Sequence, residues 1–151
     1  MKGARGAAAV TVASVSVILV DDNCSVGKQM AKHVVICGLA PEVVDYPRHP
    51  GLTEEKLRAS LNADAANLQA LGYTVEFSFI SDFAAGATPL VAMLKNRPCD
   101  CVLIGAGVRT TPEHFLLFEQ LINAIHEHAP QAKICFNTRP TDTADAVRRW
   151  V

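Results

Sequence analysis

From Lys32 to the end of the chain, short apolar runs alternate four times with longer amphipathic stretches, and this alternation constrains the fold more than any other feature. The runs near 33–38, 73–80, 100–105 and 132–137 have strand length and strand composition. Those near 53–71, 87–97, 112–128 and 141–150 carry helical periodicity and helix-start residues. Thr53 precedes Glu54 and Glu55, and Gly72 closes that helix. Thr88-Pro89 and Thr111-Pro112 repeat one start signal, and Thr141-Asp142 with Asp145 opens the last helix. Repeated strand-helix units joined by right-handed crossovers predict a parallel sheet with helices on both faces.

Strand polarity predicts the order. Val34 to Cys37 and Val102 to Ile104 are continuously apolar, as central parallel strands are, whereas Val75-Glu76-Phe77-Ser78-Phe79 alternates and suits an edge. The fold expected is therefore α/β: a flavodoxin-like, Rossmann-like doubly wound parallel sheet of four core strands in the order 2-1-3-4, with room for an extra N-terminal strand. In that order the winding reverses between the first and third strands, and ligands bind beyond the carboxyl ends at such a switch point.

Two loops meet there. Residues 38–52 run to over twice the common length of a strand-helix connection and contain three prolines, so this segment reads as a lid or as a stiff surface loop. It offers Gly38, Glu42, Asp45, Tyr46, Arg48 and His49. Residues 105–111 supply Gly105 and Gly107, read as turn glycines with backbone angles closed to other residues, together with Arg109 and Thr110. Asn137, Thr138 and Arg139 follow the last strand. Two arginines beside helix N-termini favour an anionic small molecule or a nucleotide, with Arg109 as the principal charge. The third glycine of a dinucleotide fingerprint is missing, and Tyr46 is the one obvious stacking aromatic that the long loop offers a flavin, so no cofactor is named. Catalysis at this edge would fall to His114, His49 or Asp45, with Glu42, Asp45 or Asp82 as carboxylate partner to a histidine.

Composition narrows the alternatives. Fourteen basic and 15 acidic residues are interspersed, for a net charge of −1, so no basic block is available for nucleic acid. Five cysteines, an odd number lying partly in strand-like runs, read as reduced thiols of a cytoplasmic protein. Cys99 and Cys101 lack zinc-ligand spacing, and His126 and His128 do not share a helix face, so no metal site is expected. In the third long helix Phe115, Phe118, Ile122 and Ile125 are expected on the sheet. Leu117, Leu121 and Ala124 are then left over, and the 115–125 helix becomes a candidate homodimer or partner surface.

Residues 1–29 differ in character. Lys2 and Arg5 before the apolar stretch Ala7 to Val20 have the form of a secretory leader without a convincing cleavage site, and the stretch is too short to span a membrane. The alternative is a start at Met30, with 1–29 as a non-native or partly disordered extension and 30–151 as a single α/β domain.

Two resemblances arise at these residues. Ile104-Gly105-Ala106-Gly107-Val108-Arg109, His114-Phe115-Leu116-Leu117-Phe118-Glu119, His126-Glu127-His128-Ala129-Pro130 and Phe136-Asn137-Thr138-Arg139-Pro140-Thr141-Asp142-Thr143-Ala144 resemble a group of small uncharacterised bacterial α/β proteins. That likeness implies no activity. Ile18-Leu19-Val20-Asp21-Asp22-Asn23 is similar to the acidic turn of response-regulator receiver domains. It implies Asp82 as phosphoacceptor, Thr110 as switch hydroxyl and Arg139-Pro140 in place of a lysine-proline pair. The gap from Asp22 to Asp82 is longer than in receivers, the first two strands are too close, and arginine replaces the lysine.

Overall fold

A computed structural model describes residues 30–151, and Ala31–Val151 form one compact unit. Strands β1 (His33–Leu39), β2 (Thr74–Ile80), β3 (Cys101–Ile104) and β4 (Lys133–Phe136) make one parallel sheet in the order β2-β1-β3-β4, the order that strand polarity predicts. Helices α1 (Glu54–Ala70), α2 (Thr88–Asn96), α3 (Ala106–Arg109), α4 (Phe115–His128) and α5 (Thr143–Arg148) cover it. The expected extra strand and the Asp21-Asp22 turn lie outside the described residues.

The alternation of side chains along β1 and β3 divides the core. Val35, Cys37, Val102 and Ile104 pack against Leu90 and Leu94 of α2 and Leu117, Leu121 and Ile125 of α4. Val34, Ile36, Cys101 and Leu103 pack against Leu68 of α1 and Ala144, Ala146 and Val147 of α5. The central strands are buried on both faces, which is why their sequence shows no polar alternation. Cys37, Cys99, Cys101 and Cys135 are buried free thiols, and burial pushes the Cys37 thiol up to about 12.

Local signals explain several helix ends. Thr53 accepts from the Lys56 amide at 3.2 Å, and Gly72 takes a φ of 92°, the left-handed angle that ends α1 without a Cβ penalty. Thr88 is already inside α2, and Thr111 makes no cap bond, donating its hydroxyl to the Gly107 carbonyl at 2.9 Å instead.

The buried face of α4 differs from the expected one. Leu117, Leu121, Ala124 and Ile125 are in the core, whereas Phe115 is 64% exposed and Phe118 and Ile122 are half-buried flanks. The helix carries two overlapping apolar stripes, and the short turn Pro112–His114 sets the rotation at which it starts. The surplus that suggested a subunit contact is therefore core, leaving Phe115 and Leu116 as its exposed apolar residues. No described helix is long and apolar enough to cross a membrane, and no cluster of metal-ligating side chains occurs among the described residues.

Candidate functional site

At the carboxyl ends of β1 and β3 the chain departs in opposite directions, toward β2 through α1 and toward β4 through α4. A cleft of about 580 Å³ opens at this divergence, within the size range of small-molecule sites. Its floor is Ile36, Gly38, Leu103 and Gly105. Leu57, Leu61 and Asp64 of α1 form one wall, Val43, Val44, Asp45, Arg48, His49 and Leu52 another, and Asn137, Thr138, Arg139, Pro140 and Thr143 the polar end. Phe79, Phe83, Gly107, Thr110, Thr111, Glu113 and His114 complete the rim.

Gly38 is the bare point of that floor. It pairs with Phe79 in the ladder, and a Cβ built on it meets nothing within 4 Å. Its φ is not positive, so neither backbone angle nor crowding calls for glycine there. A glycine inside a strand costs order and packing, and one recurring reason for it is the close approach of another molecule.

Gly105 and Gly107 are not turn glycines of special angle. Gly105 has φ −65° and Gly107 lies within the four-residue α3; the positive φ values belong to Gly51, Gly72 and Gly86. A Cβ on Gly105 would meet the Cys37 carbonyl oxygen at an ordinary 3.6 Å. The segment expected to be a turn is a helical one, held by the Gly105 amide donating to the Cys37 carbonyl at 2.8 Å.

Asn137 ties the polar end together. Its Oδ1 accepts from the Ala106 amide at 2.9 Å, and its Nδ2 donates to Thr143 Oγ1 at 3.1 Å. The Ala106 amide at the start of α3 is thus already occupied. Arg109 faces away from the cleft: its Nη2 donates to the Asn137 carbonyl at 2.7 Å, its guanidinium carbon lies 5.6 Å from the Phe136 ring centre, and its Nε is buried without a partner. Arg109 braces the Asn137 segment and does not line the cleft, although the sequence expected it there as the principal charge. Tyr46 also stands outside the cleft, its hydroxyl donating to the Pro41 carbonyl at 2.6 Å and closing the loop on itself.

The long loop is clasped across the rim. Arg48 lies 3.0 Å from Asp45 and 2.9 Å from Glu113, all three more than half exposed, so the clasp is weak and screened by salt. Arg139 has no carboxylate partner for its side chain among the described residues, while its amide and that of Thr138 donate to Asp142. Against slight burial, the Thr138 hydroxyl, those amides and the Arg139 charge together hold the Asp142 carboxyl below the usual carboxylate range.

His114 stacks on Phe83 with ring centres 4.9 Å apart, and its Nδ1 lies 3.1 Å from the Gly107 carbonyl. A carbonyl only accepts, so the Nδ1 of His114 carries a proton and donates it to Gly107. No carboxylate pairs with His114 or His49 among the described residues, and Asp45 is engaged by Arg48. Asp82 follows the edge strand β2 and caps its own turn, accepting from the Ala84 amide at 2.9 Å.

Asp64 is the residue that sequence reasoning missed. It lies in the inner stripe Leu57, Leu61, Asp64, Leu68 of α1, is 8% exposed, and has an Oδ2 with no hydrogen-bond partner. Burial pushes its carboxyl above the usual range, with Asp142 adding to the shift and the Thr143 hydroxyl opposing it. The signal was present: an acid at a position of helical period otherwise occupied by leucines. In comparisons with known proteins, no protein-family model and no curated sequence matches the chain.

Proposed function

We propose that the protein binds a small organic molecule in the cleft, with an apolar body over Gly38 between Leu57, Leu61 and Phe79 and an anionic substituent at Arg139. The observation that carries this reading is the bare strand glycine in the floor of a largely apolar cleft at the sheet's switch point. Thr138 adds a polar group at the same end, which orients a ligand more than it holds it.

The test is a thermal-shift screen of the full chain against nucleotides, flavins, phosphorylated metabolites and carboxylates, repeated with Gly38→Val and Arg139→Ala. A stabilising compound raises the melting temperature by several degrees at concentrations well above its Kd. Gly38→Val should remove the shift for every compound, and Arg139→Ala for the anionic ones only. Shifts retained in full by Gly38→Val would place binding elsewhere, and no shift with any compound would refute the reading.

A second reading rests on Phe115 and Leu116, which are 64% and 67% exposed side by side at the start of α4. We propose a contact between copies there as the alternative. Sedimentation should show a concentration-dependent dimer that Leu116→Glu abolishes; a monomer at all concentrations would refute it.

A further inference from the structure

We infer that Asp64 selects ligands carrying an N–H donor, an amine, amidine or amino-heterocycle, at the end of the apolar body that meets the α1 wall. This rests on the reading of the cleft as a small-molecule site and specifies what that site recognises.

The polar end has a fixed direction of hydrogen bonding. The Ala106 amide can only donate, so Asn137 must present Oδ1 to it and Nδ2 to Thr143. Thr143 Oγ1 therefore accepts from Asn137, and the Thr143 hydroxyl acts on Asp64 only to oppose the rise in its pKa. Thr143 is 2% exposed and Asn137 7%, so this bonded pair is walled off from bulk solvent and stays set. Oδ2 of Asp64, at the cleft wall, is an acceptor with no donor.

Nothing in the packing of α1 requires an acid there. Leu57, Leu61 and Leu68 share its face, and a leucine at 64 would extend the stripe into the core formed with Cys101, Leu103 and Val147. A buried acceptor without a donor is costly, and the cost is removed when a ligand supplies the donor. Asp142 adds negative potential at the carboxyl, which favours a positively charged or strongly polarised N–H over a neutral hydroxyl. Arg139 at the cleft's polar end supplies the opposite preference for a second substituent, so the site suits a ligand with both.

The probes are 2-aminobenzimidazole, an apolar bicycle with adjacent N–H donors, and 1-methylindole, a similar bicycle with none. Calorimetric titration of the full chain should show 2-aminobenzimidazole binding more tightly than 1-methylindole. Asp64→Asn should weaken the first by roughly tenfold or more and change the second by less than about twofold. The amide can present its NH₂ where Oδ2 now stands, opposing a donor. If both probes bind with similar affinity, lose binding in Gly38→Val and ignore Asp64→Asn, the cleft stands and the role of Asp64 falls. If neither binds the unaltered chain, both fall. An independent measurement needs no variant: the carboxyl carbon resonance of Asp64 should move on adding 2-aminobenzimidazole and not on adding 1-methylindole. An unmoved resonance at saturation overturns the inference.

Discussion

Replacing Asp64 by asparagine should stabilise the protein at neutral pH. The residue is 8% exposed, one carboxyl oxygen has no partner, and burial holds its pKa above the unfolded-state value of 3.8. The sign follows from linkage. A raised native pKa means that the folded state holds the proton more tightly than the unfolded chain, so folding is opposed once the pH exceeds the native value and the group is ionised. An unsatisfied buried polar group costs about 1–3 kcal/mol, more when charged, and asparagine removes the charge while keeping an acceptor for Thr143. We therefore expect a gain of about 1–2 kcal/mol at pH 7, which for a folded unit of this size is about 3–10 °C in melting temperature. As the pH falls through the native pKa toward 3.8, Asp64 takes up its proton and the advantage of asparagine should shrink toward zero. Urea denaturation at pH 7, 5.5 and 4 measures this directly. A variant less stable than the parent at pH 7, or a gain that does not change with pH, would show that the carboxylate is a structural anchor for Thr143 and refute the reasoning. A residue that costs stability at a cleft wall is the pattern expected where binding, not folding, keeps it.

Other outcomes follow from the same geometry. His33 is buried, its Nε2 makes no hydrogen bond and lies 3.6 Å from the Glu76 carboxylate, and its pKa is lowered chiefly by burial and then by Arg97, against Glu76 and Asp100. The stability it contributes is present above the unfolded value of 6.5 and lost as pH falls through the lowered native value, so urea midpoints should drop over that window and drop less in His33→Gln. Arg109→Ala should cost about 1–3 kcal/mol by freeing the Asn137 carbonyl and uncovering Phe136, measured by denaturation, while affinity for anionic compounds stays within about twofold. Leu121→Glu should leave the chain unfolded by circular dichroism, because Leu121 is fully buried between α4 and the sheet, whereas Leu116→Glu should change stability by no more than about 0.5 kcal/mol.

The sheet was legible because its signals are local or binary. The unbroken apolar runs of β1 and β3, the alternation in β2, Thr53 at one end of α1 and Gly72 at the other each carry one physical meaning. The site was legible in place but less so in orientation. Of the residues assigned to it from sequence, Gly38, Asp45, Arg48, His49, Gly105, Gly107, Thr110, His114, Asn137, Thr138 and Arg139 line the cleft, while Arg109 and Tyr46 do not. Arg109 is lost because Ala106–Arg109 is a helical turn, and that rotation turns the guanidinium onto Phe136 rather than the rim. The face of α4 was ambiguous for the same reason, since two stripes share Ile125 and the turn before the helix selects between them. Asp64 is harder to read because it stands alone in a helical stripe otherwise made of leucine, with no second polar residue in that stripe to mark it as part of a site.

The central claim is that the space above Gly38 belongs to a ligand. Its most direct test is calorimetric titration of the strongest stabilising compound into the unaltered protein and into Gly38→Val, after confirming that both are folded. A valine in a strand at an angle it accepts should leave stability unchanged or raise it by about 0.5–1 kcal/mol, with its side chain projecting into the open cleft. Saturable binding to the unaltered chain and none to Gly38→Val is the predicted result; equal affinity for both would contradict the account.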